Sequence, residues 1–415
     1  MSALALRIGH RTFRSLRRHR NYRVFFTGQV VSLAGSWMQN IALAWLVIEL
    51  SGSALAVGAL AFCRFLPFLA FGLVAGVVVD RYDTRRLLAA TQGTAMVVSV
   101  VLAVVTIADL ATLPVVYALA AVGGLVLVVD APGRQTLTFQ MVGPAELQNA
   151  VALNSGLFNA SRVIGPAIAG LIIATVGTGL CFVVNAVSFL AVLLSLYLLR
   201  PEELMPVARQ PTRVVSGIRE GIAWALDARL VRTVLVVVTI VSTVGFNFHV
   251  LVPLLASETL HVGAEMFGIL SSAFGLGALA GALATASLRE ASPRAFVGGA
   301  AGFGVVMVAL ALDDSVAVAL ALLFALGVAF SLFTSSASAL VQLAAPDHLR
   351  GRVVSLFLFA FAGLAPIGGL VAGLLAEVGG TPLAFGVAGV SGLLAAGWAF
   401  RQLAGGRPAP APLDA

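Results

Sequence analysis

Gln140-Met-Val-Gly-Pro144-Ala-Glu-Leu147 returns about 200 residues downstream as Gln342-Leu-Ala-Ala-Pro346-Asp-His-Leu349. Each copy runs into an apolar stretch with a proline among small residues: Gly165-Pro166-Ala-Ile-Ala-Gly170 in the first, Ala365-Pro366-Ile-Gly368-Gly369 in the second. Around both copies lie further apolar stretches long enough to cross a bilayer, so the chain reads as two similar membrane halves. Halves related in this way commonly enclose a path between them, with a solute site near mid-membrane.

Composition agrees. A chain of 415 residues that is 60% hydrophobic and 10% charged, with a mean hydropathy of +1.03, has too few polar side chains to coat a soluble globule. Each crossing needs roughly 20 apolar residues, because a helix rises about 1.5 Å per residue and the hydrocarbon core is about 30 Å thick. Hydropathy places twelve spans near 24–49, 54–79, 87–108, 113–137, 148–175, 179–199, 231–256, 265–287, 295–312, 316–342, 353–376 and 382–400. The implied organisation is a basic N-terminal arm over 1–23, a six-helix bundle over 24–199, a polar linker over 200–230, a second six-helix bundle over 231–402 and a disordered tail over 403–415.

All 25 basic residues are arginine. Without lysine there is no phosphate-binding G-x-x-x-x-G-K-[ST] loop and no lysine Schiff base, which excludes ATP-hydrolysing subunits and retinal pumps. Cys63 and Cys181 both fall inside spans, which gives a disulfide framework or a zinc site no support; no metal or cofactor is expected. The net charge of +7 reports orientation rather than a nucleic-acid partner. With the N-terminus inside, Arg81, Arg85, Arg86, Arg200, Arg232, Arg289, Arg294, Arg350, Arg352 and Arg401 all fall in cytoplasmic loops. The opposite loops carry Glu49, Asp109, Glu258, Glu265, Asp313, Asp314 and Glu377. This asymmetry implies an even number of crossings with both termini cytoplasmic. The arm Arg7, Arg11, Arg14, Arg17, Arg18, Arg20, Arg23 is expected to sit on anionic lipid.

Between spans two and three the chain reads Gly72-Leu-Val-Ala-Gly76-Val-Val-Val-Asp80-Arg81-Tyr-Asp83-Thr-Arg85-Arg86. This G-x-x-x-D-R-x-x-x-R-R pattern resembles the loop signature of the major facilitator superfamily, and the resemblance covers essentially the whole chain. It implies an all-α membrane fold of twelve transmembrane helices in two pseudo-symmetric six-helix bundles. In that fold Gly76, Asp80, Arg81, Arg85 and Arg86 form a cytoplasmic latch. The segment Gly165-Pro166…Gly170 in span five resembles the exporter motif of the same superfamily. Asn21-Tyr22-Arg23, Ser32-Leu-Ala-Gly35-Ser36-Trp37 and Ala131-Pro132-Gly133-Arg134-Gln135 resemble its bacterial efflux branch, which includes enterobactin-type siderophore exporters and macrolide and tetracycline pumps. Many of those relatives carry Asp where Ser36 stands, so one candidate proton carrier is missing.

A charge in hydrocarbon is costly, which makes every intramembrane ionisable residue a functional candidate. Arg64 and Arg162 fall mid-span, and Asp130 sits one helical turn from Arg134 on the same face of span four. Asp130 and Arg134 read either as a proton-coupling pair or as an ion pair locking the inner gate. Arg64 and Arg162, unmatched, lean toward an anionic or zwitterionic solute. Gln29, Ser36 and Asn40 in span one and Asn247 and His249 in span seven face the cavity by family analogy, although interhelical hydrogen bonds would also explain them. Phe65, Phe68, Phe71, Phe324, Phe330, Phe333, Phe357, Phe359 and Phe361 read as packing rather than as a drug pocket. The expected protein is a monomeric secondary transporter, not an enzyme, exporting a small amphipathic molecule against protons. An importer or facilitator on the same fold, or a membrane sensor, is the alternative.

Overall fold

The computed structural model describes residues 13–72, 75–206, 214–287, 292–346 and 349–404. Arg7, Arg11, Arg289, residues 405–415 of the tail, and the side chains of Gly76 and Asp80 lie outside the described residues. Hydrocarbon offers no partner for backbone N–H and C=O groups, so a spanning segment must satisfy them within itself, which a helix does. Every regular element among the described residues is accordingly helical.

Among the described residues ten helices are long and apolar enough to cross a membrane, and two of them are far too long to cross once. Leu113–Val176 has 64 residues and Arg350–Ala404 has 55; at about 1.5 Å per residue each would run well past a core about 30 Å thick. Each folds back at a glycine. Gly143 (φ 67, ψ 179) breaks the first, and Gly379 with Gly380 (φ 70, ψ 176) breaks the second. The left-handed φ of Gly143 and Gly380 is open essentially to glycine alone. Ten candidates with two doubled make the twelve crossings the sequence implies. The residues between spans four and five, which hydropathy leaves outside the bilayer, are not a loop: one glycine makes the turn, and Asn154 Nδ2 donates back across it to Thr138 Oγ1 at 3.3 Å. The interhalf segment also differs from a plain linker, since Val214–Asp227 is a helix.

Alternation of the spans gathers the arginine-rich turns at one end, here the basic end, and the carboxylate-bearing turns at the other, the acidic end. Local chemistry starts several spans: Ser53 accepts from Ala56 N–H at 3.2 Å, and Asp83 accepts from Arg86 N–H at 2.8 Å. Apolar side chains such as Val104, Ile107, Val187 and Leu394 face outward as the lipid belt.

The halves meet along two seams, span two on span eleven and span five on span eight. Both seams are built from small residues, which let backbones touch where larger side chains would hold them apart. A Cβ on Gly58 would lie 2.7 Å from the Gly369 carbonyl, and one on Gly373 would lie 2.8 Å from Gly58 Cα. Span eight lays Gly268, Ser272 and Gly275 on the stretch Arg162–Gly170 of span five. A Cβ on Gly268 would meet the Pro166 carbonyl at 2.4 Å and one on Gly275 the Arg162 carbonyl at 2.9 Å, while Ser272 Oγ donates to the Val163 carbonyl at 2.8 Å. Pro166 explains why the Arg162 carbonyl is free to be approached: it has no N–H to give the residue four before it. Every one of these contacts lies between mid-span and the acidic end. There Glu377 of span eleven also caps span two, accepting from Ser53 Oγ and Leu55 N–H, each at 2.9 Å. None of the described ion pairs joins the two bundles at the basic end.

Two spans of the second half are interrupted near their middles. Span seven leaves the α-helix over Val241–Gly245 and span eleven over Phe359–Gly363, both as π turns, and the two turns touch. Their counterparts in the first half, spans one and five, run without such turns.

Replacing Gly268 by Leu should force spans five and eight apart and destabilise the protein by about 1–3 kcal/mol, seen as a lower Tm in detergent. Gly298→Ala, where nothing lies within 4 Å of an added Cβ, should leave Tm unchanged or raise it. Equal effects at the two positions would contradict the seam.

Candidate functional site

Arg162 projects from span five to the place where the halves meet, and it is nine-tenths buried. Four rings surround its guanidinium carbon: Phe274 of span eight at 4.5 Å, Trp37 of span one at 5.7 Å, Phe248 of span seven at 5.9 Å and Phe330 of span ten at 6.0 Å. The negative faces of the rings stabilise the cation in place of water. Its Nε is buried with no hydrogen-bond partner, and no acidic side chain among the described residues pairs with it.

The box continues into a larger centre. His249 of span seven lies against Trp37 (6.2 Å between rings) and Phe65 (6.0 Å), and Arg64 of span two lies over Phe65 at 5.8 Å. Phe246 stacks on Phe330 at 3.9 Å and reaches Phe361 at 6.1 Å. The π turns of spans seven and eleven deliver two of these rings: Phe246 follows the first directly, and Phe361 lies within the second. Of the nine phenylalanines read as packing, Phe65, Phe330 and Phe361 join this one centre. Trp37, Phe246, Phe248 and Phe274 carry no local signal, since each lies on an apolar span where an aromatic is unremarkable.

The other predicted residues are placed as follows. Asn247 serves the break in its own helix, donating from Nδ2 to the carbonyls of Thr243 (2.9 Å) and Val244 (3.2 Å). The Ser36 hydroxyl donates to the Ser32 carbonyl at 2.9 Å. Gln29 is buried with its Nε2 unpartnered, and Asn40 is partly buried one turn beyond Trp37. Asp130 is buried apart from the aromatic centre and joins spans three and four: its carboxylate receives Gln92 Nε2 at 2.5 Å, Thr91 Oγ1 at 3.2 Å and the Arg134 guanidinium. Gly165 is a packing position inside the first half, where a Cβ would meet Trp37 Cβ at 2.5 Å; Pro166 and Gly170 belong to the seam with span eight.

At the basic end, Arg85 donates from Nε to the Leu196 carbonyl at 2.8 Å and from Nη2 to Tyr197 at 3.2 Å, closing the C-terminus of span six. Arg81 and Arg86 are exposed. Among the described residues of the N-terminal arm, expected on lipid, Arg14, Ser15 and Arg18 engage the protein. Glu146, 4% exposed, takes Arg14 at 2.7 Å and Arg18 at 2.9 Å, and Ser15 Oγ donates to Asn149 Oδ1 at 2.7 Å. Its hydrogen bond to Glu146 holds the Arg14 guanidinium above its ordinary pKa. Glu146 sits in the repeated segment three residues past the Gly143 turn, so the arm fastens the corner between spans four and five.

A family model described as transmembrane secretion effector matches residues 12–404. The chain is 26% identical over 381 residues to the staphyloferrin A transporter of Staphylococcus aureus, covering 89% of this chain and 93% of that one. It is 29% identical over 374 residues to the multidrug efflux pump Tap of Mycolicibacterium fortuitum, covering 85% and 88%. Among solved structures, a bacterial homologue of the human lysosomal transporter Spinster, inward-facing and unoccupied, superposes with a TM-score of 0.72 at 14% identity, over 94% of this chain and 98% of that one. A bacterial homologue of the iron transporter ferroportin, also inward-facing, gives 0.71 at 16% identity over 92% and 98%.

Glu146→Gln should release the arm. Limited trypsin digestion of the purified protein would then cut after Arg14, Arg17 and Arg18 faster than in wild type; an unchanged cleavage rate would contradict the docking.

Proposed function

Since the chain belongs to the transmembrane secretion effector family of the major facilitator superfamily, it is a multi-pass membrane transporter, and we propose that it exports a small amphipathic molecule by alternating access. The observation that carries the reading is the centre at mid-span, walled by both halves and flanked by seams that close only toward the acidic end. Toward the basic end a cavity of about 740 Å³ opens beside spans ten and eleven, lined by Thr334, Ser335, Ser338 and Gln342 with Phe357 and Phe361. The arginine asymmetry puts that end in the cytoplasm of a bacterial inner membrane, which makes this an inward-facing shape. Rocking the halves about the centre opens the acidic end and closes the basic one. Outward polarity follows the relatives described as efflux pumps. The protein acts as a monomer, because each chain supplies both bundles.

Protons are the proposed driving ion and Asp130 the coupling group. Asp130 and Arg134 stand one turn apart on the same span, so their pair cannot by itself tie the halves together, which favours coupling over a lock. A proton on Asp130 displaces one of three donors from Thr91, Gln92 and Arg134. Arg134, whose Nη1 is already buried without a partner, then loses its counter-charge and must move. A carboxylate whose protonation differs between the two states is sufficient to link the gradient to the conformational change.

Everted vesicles test direction, substrate and coupling together, with siderophores, macrolides and tetracyclines as candidates. Wild type should accumulate one of these classes under an inside-acid gradient, whereas an importer would not. Asp130→Asn should abolish gradient-driven accumulation yet keep exchange of labelled for unlabelled substrate. Full accumulation by Asp130→Asn removes it as the coupler.

A further inference from the structure

Arg162 is a cation at mid-span with four rings around it and no hydrogen-bond partner on its buried Nε. Four aromatic faces shield it without neutralising it, and its buried Nε has no acceptor. A guanidinium offers its N–H groups in one plane, in the fork that matches the two oxygens of a carboxylate. The unpartnered Nε shows that the protein leaves this fork without an acceptor of its own. Arg64 adds a second cation to the same centre, again with no acidic partner among the described residues, and the His249 ring stands between the two on Trp37 and Phe65. Among the described residues no carboxylate pairs with either arginine of this centre: Asp130 is held by Thr91, Gln92 and Arg134, and Glu377 by Ser53 and Leu55.

Resting on the transport reading, we infer that Arg162 is the docking point for a carboxylate on the exported molecule, whose flat apolar body lies against Trp37, Phe248, Phe274 and Phe330. The box is divided between the halves. Arg162 and Trp37 belong to the first, while Phe248, Phe274 and Phe330 belong to the second. Opening the seam of spans five and eight therefore withdraws three of the four rings from the guanidinium. The bound carboxylate keeps its cation in both states but loses its apolar walls in one, and this is the unequal binding that lets a ligand shift a conformational equilibrium. Pro166 and Gly275 serve the same site, since they bring span eight, and with it Phe274, down onto the backbone of Arg162.

Equilibrium binding to the purified full-length protein tests this without requiring transport. The probes are radiolabelled 2-naphthoate and its neutral amide, which share a flat body and differ in charge. Wild type should bind naphthoate saturably and at least about tenfold more tightly than the amide, as expected for hydrogen bonds to a charged group. Arg162→Gln should bind both equally. Arg162→Lys, which keeps the charge and loses the fork, should fall between them, and the salt-dependent unfolding curve of each variant checks that it is folded. Equal affinity of wild type for the two probes, no saturable naphthoate binding, or a carboxylate preference that survives in Arg162→Gln would overturn the inference. Efflux measured alongside separates the two ideas: transport that persists without carboxylate preference defeats the site and leaves the transporter reading intact.

Discussion

At their seams the two halves of this molecule come close enough for backbone to meet backbone, with Ser272 and Glu377 adding side-chain hydrogen bonds. Lipid tails are as apolar as leucine, so no hydrophobic gain drives one bundle onto the other; close packing and a few hydrogen bonds must hold the seams. Glycines at 58, 373, 268 and 275 make that approach possible. Contacts of this kind form and separate without leaving a large apolar surface in water. A seam that holds through shape alone can have two packed arrangements, and a protein interior favours discrete arrangements over gradual deformation.

Pro166 links the seam to the site. Its missing N–H leaves the Arg162 carbonyl open to span eight, while the Arg162 side chain runs into the aromatic box that span eight helps to build. Closure at the acidic end and completion of the box are consequently one event. The interruptions of spans seven and eleven serve the same centre by turning Phe246 and Phe361 toward Phe330. Such π turns are frequent at functional positions, and here both fall in the second half. The first half contributes both arginines; the second contributes most of the rings, Phe246 and Phe361 from its broken spans and Phe274 and Phe330 from unbroken ones.

Most of the fold is legible in the sequence because the bilayer leaves so few options: twelve apolar runs, arginine at alternate turns, one polar interruption. Arg162 and Arg64 are legible for the same reason, since a charge in hydrocarbon stands out without any structure. The Asp130–Arg134 pair follows from its spacing of four, whereas Thr91 and Gln92 become visible only when span three is packed beside span four. The turn at Gly143 escapes hydropathy because one residue in a left-handed conformation does the work of a loop. The aromatic box escapes it too, for its four rings come from four spans and none is unusual where it stands. Asn247 misleads in the opposite sense: a polar residue in a span suggests a ligand, but its amide is spent on carbonyls released by the break in its own helix. The run of arginines in the arm does not announce that Glu146, a carboxylate remote in sequence, pairs with Arg14 and Arg18.

The central claim is that the two ends open in alternation about an intact middle. Spin labels on Leu110 and Leu312 report the acidic end across the two halves, and labels on Tyr82 and Leu343 report the basic end; all four side chains are exposed. Pulsed distance measurements on both pairs in liposomes, with and without a proton gradient, should give two populations at each end, the longer distance at one end accompanying the shorter at the other. A single unchanging distance at both ends, or two ends that lengthen together, would contradict the account.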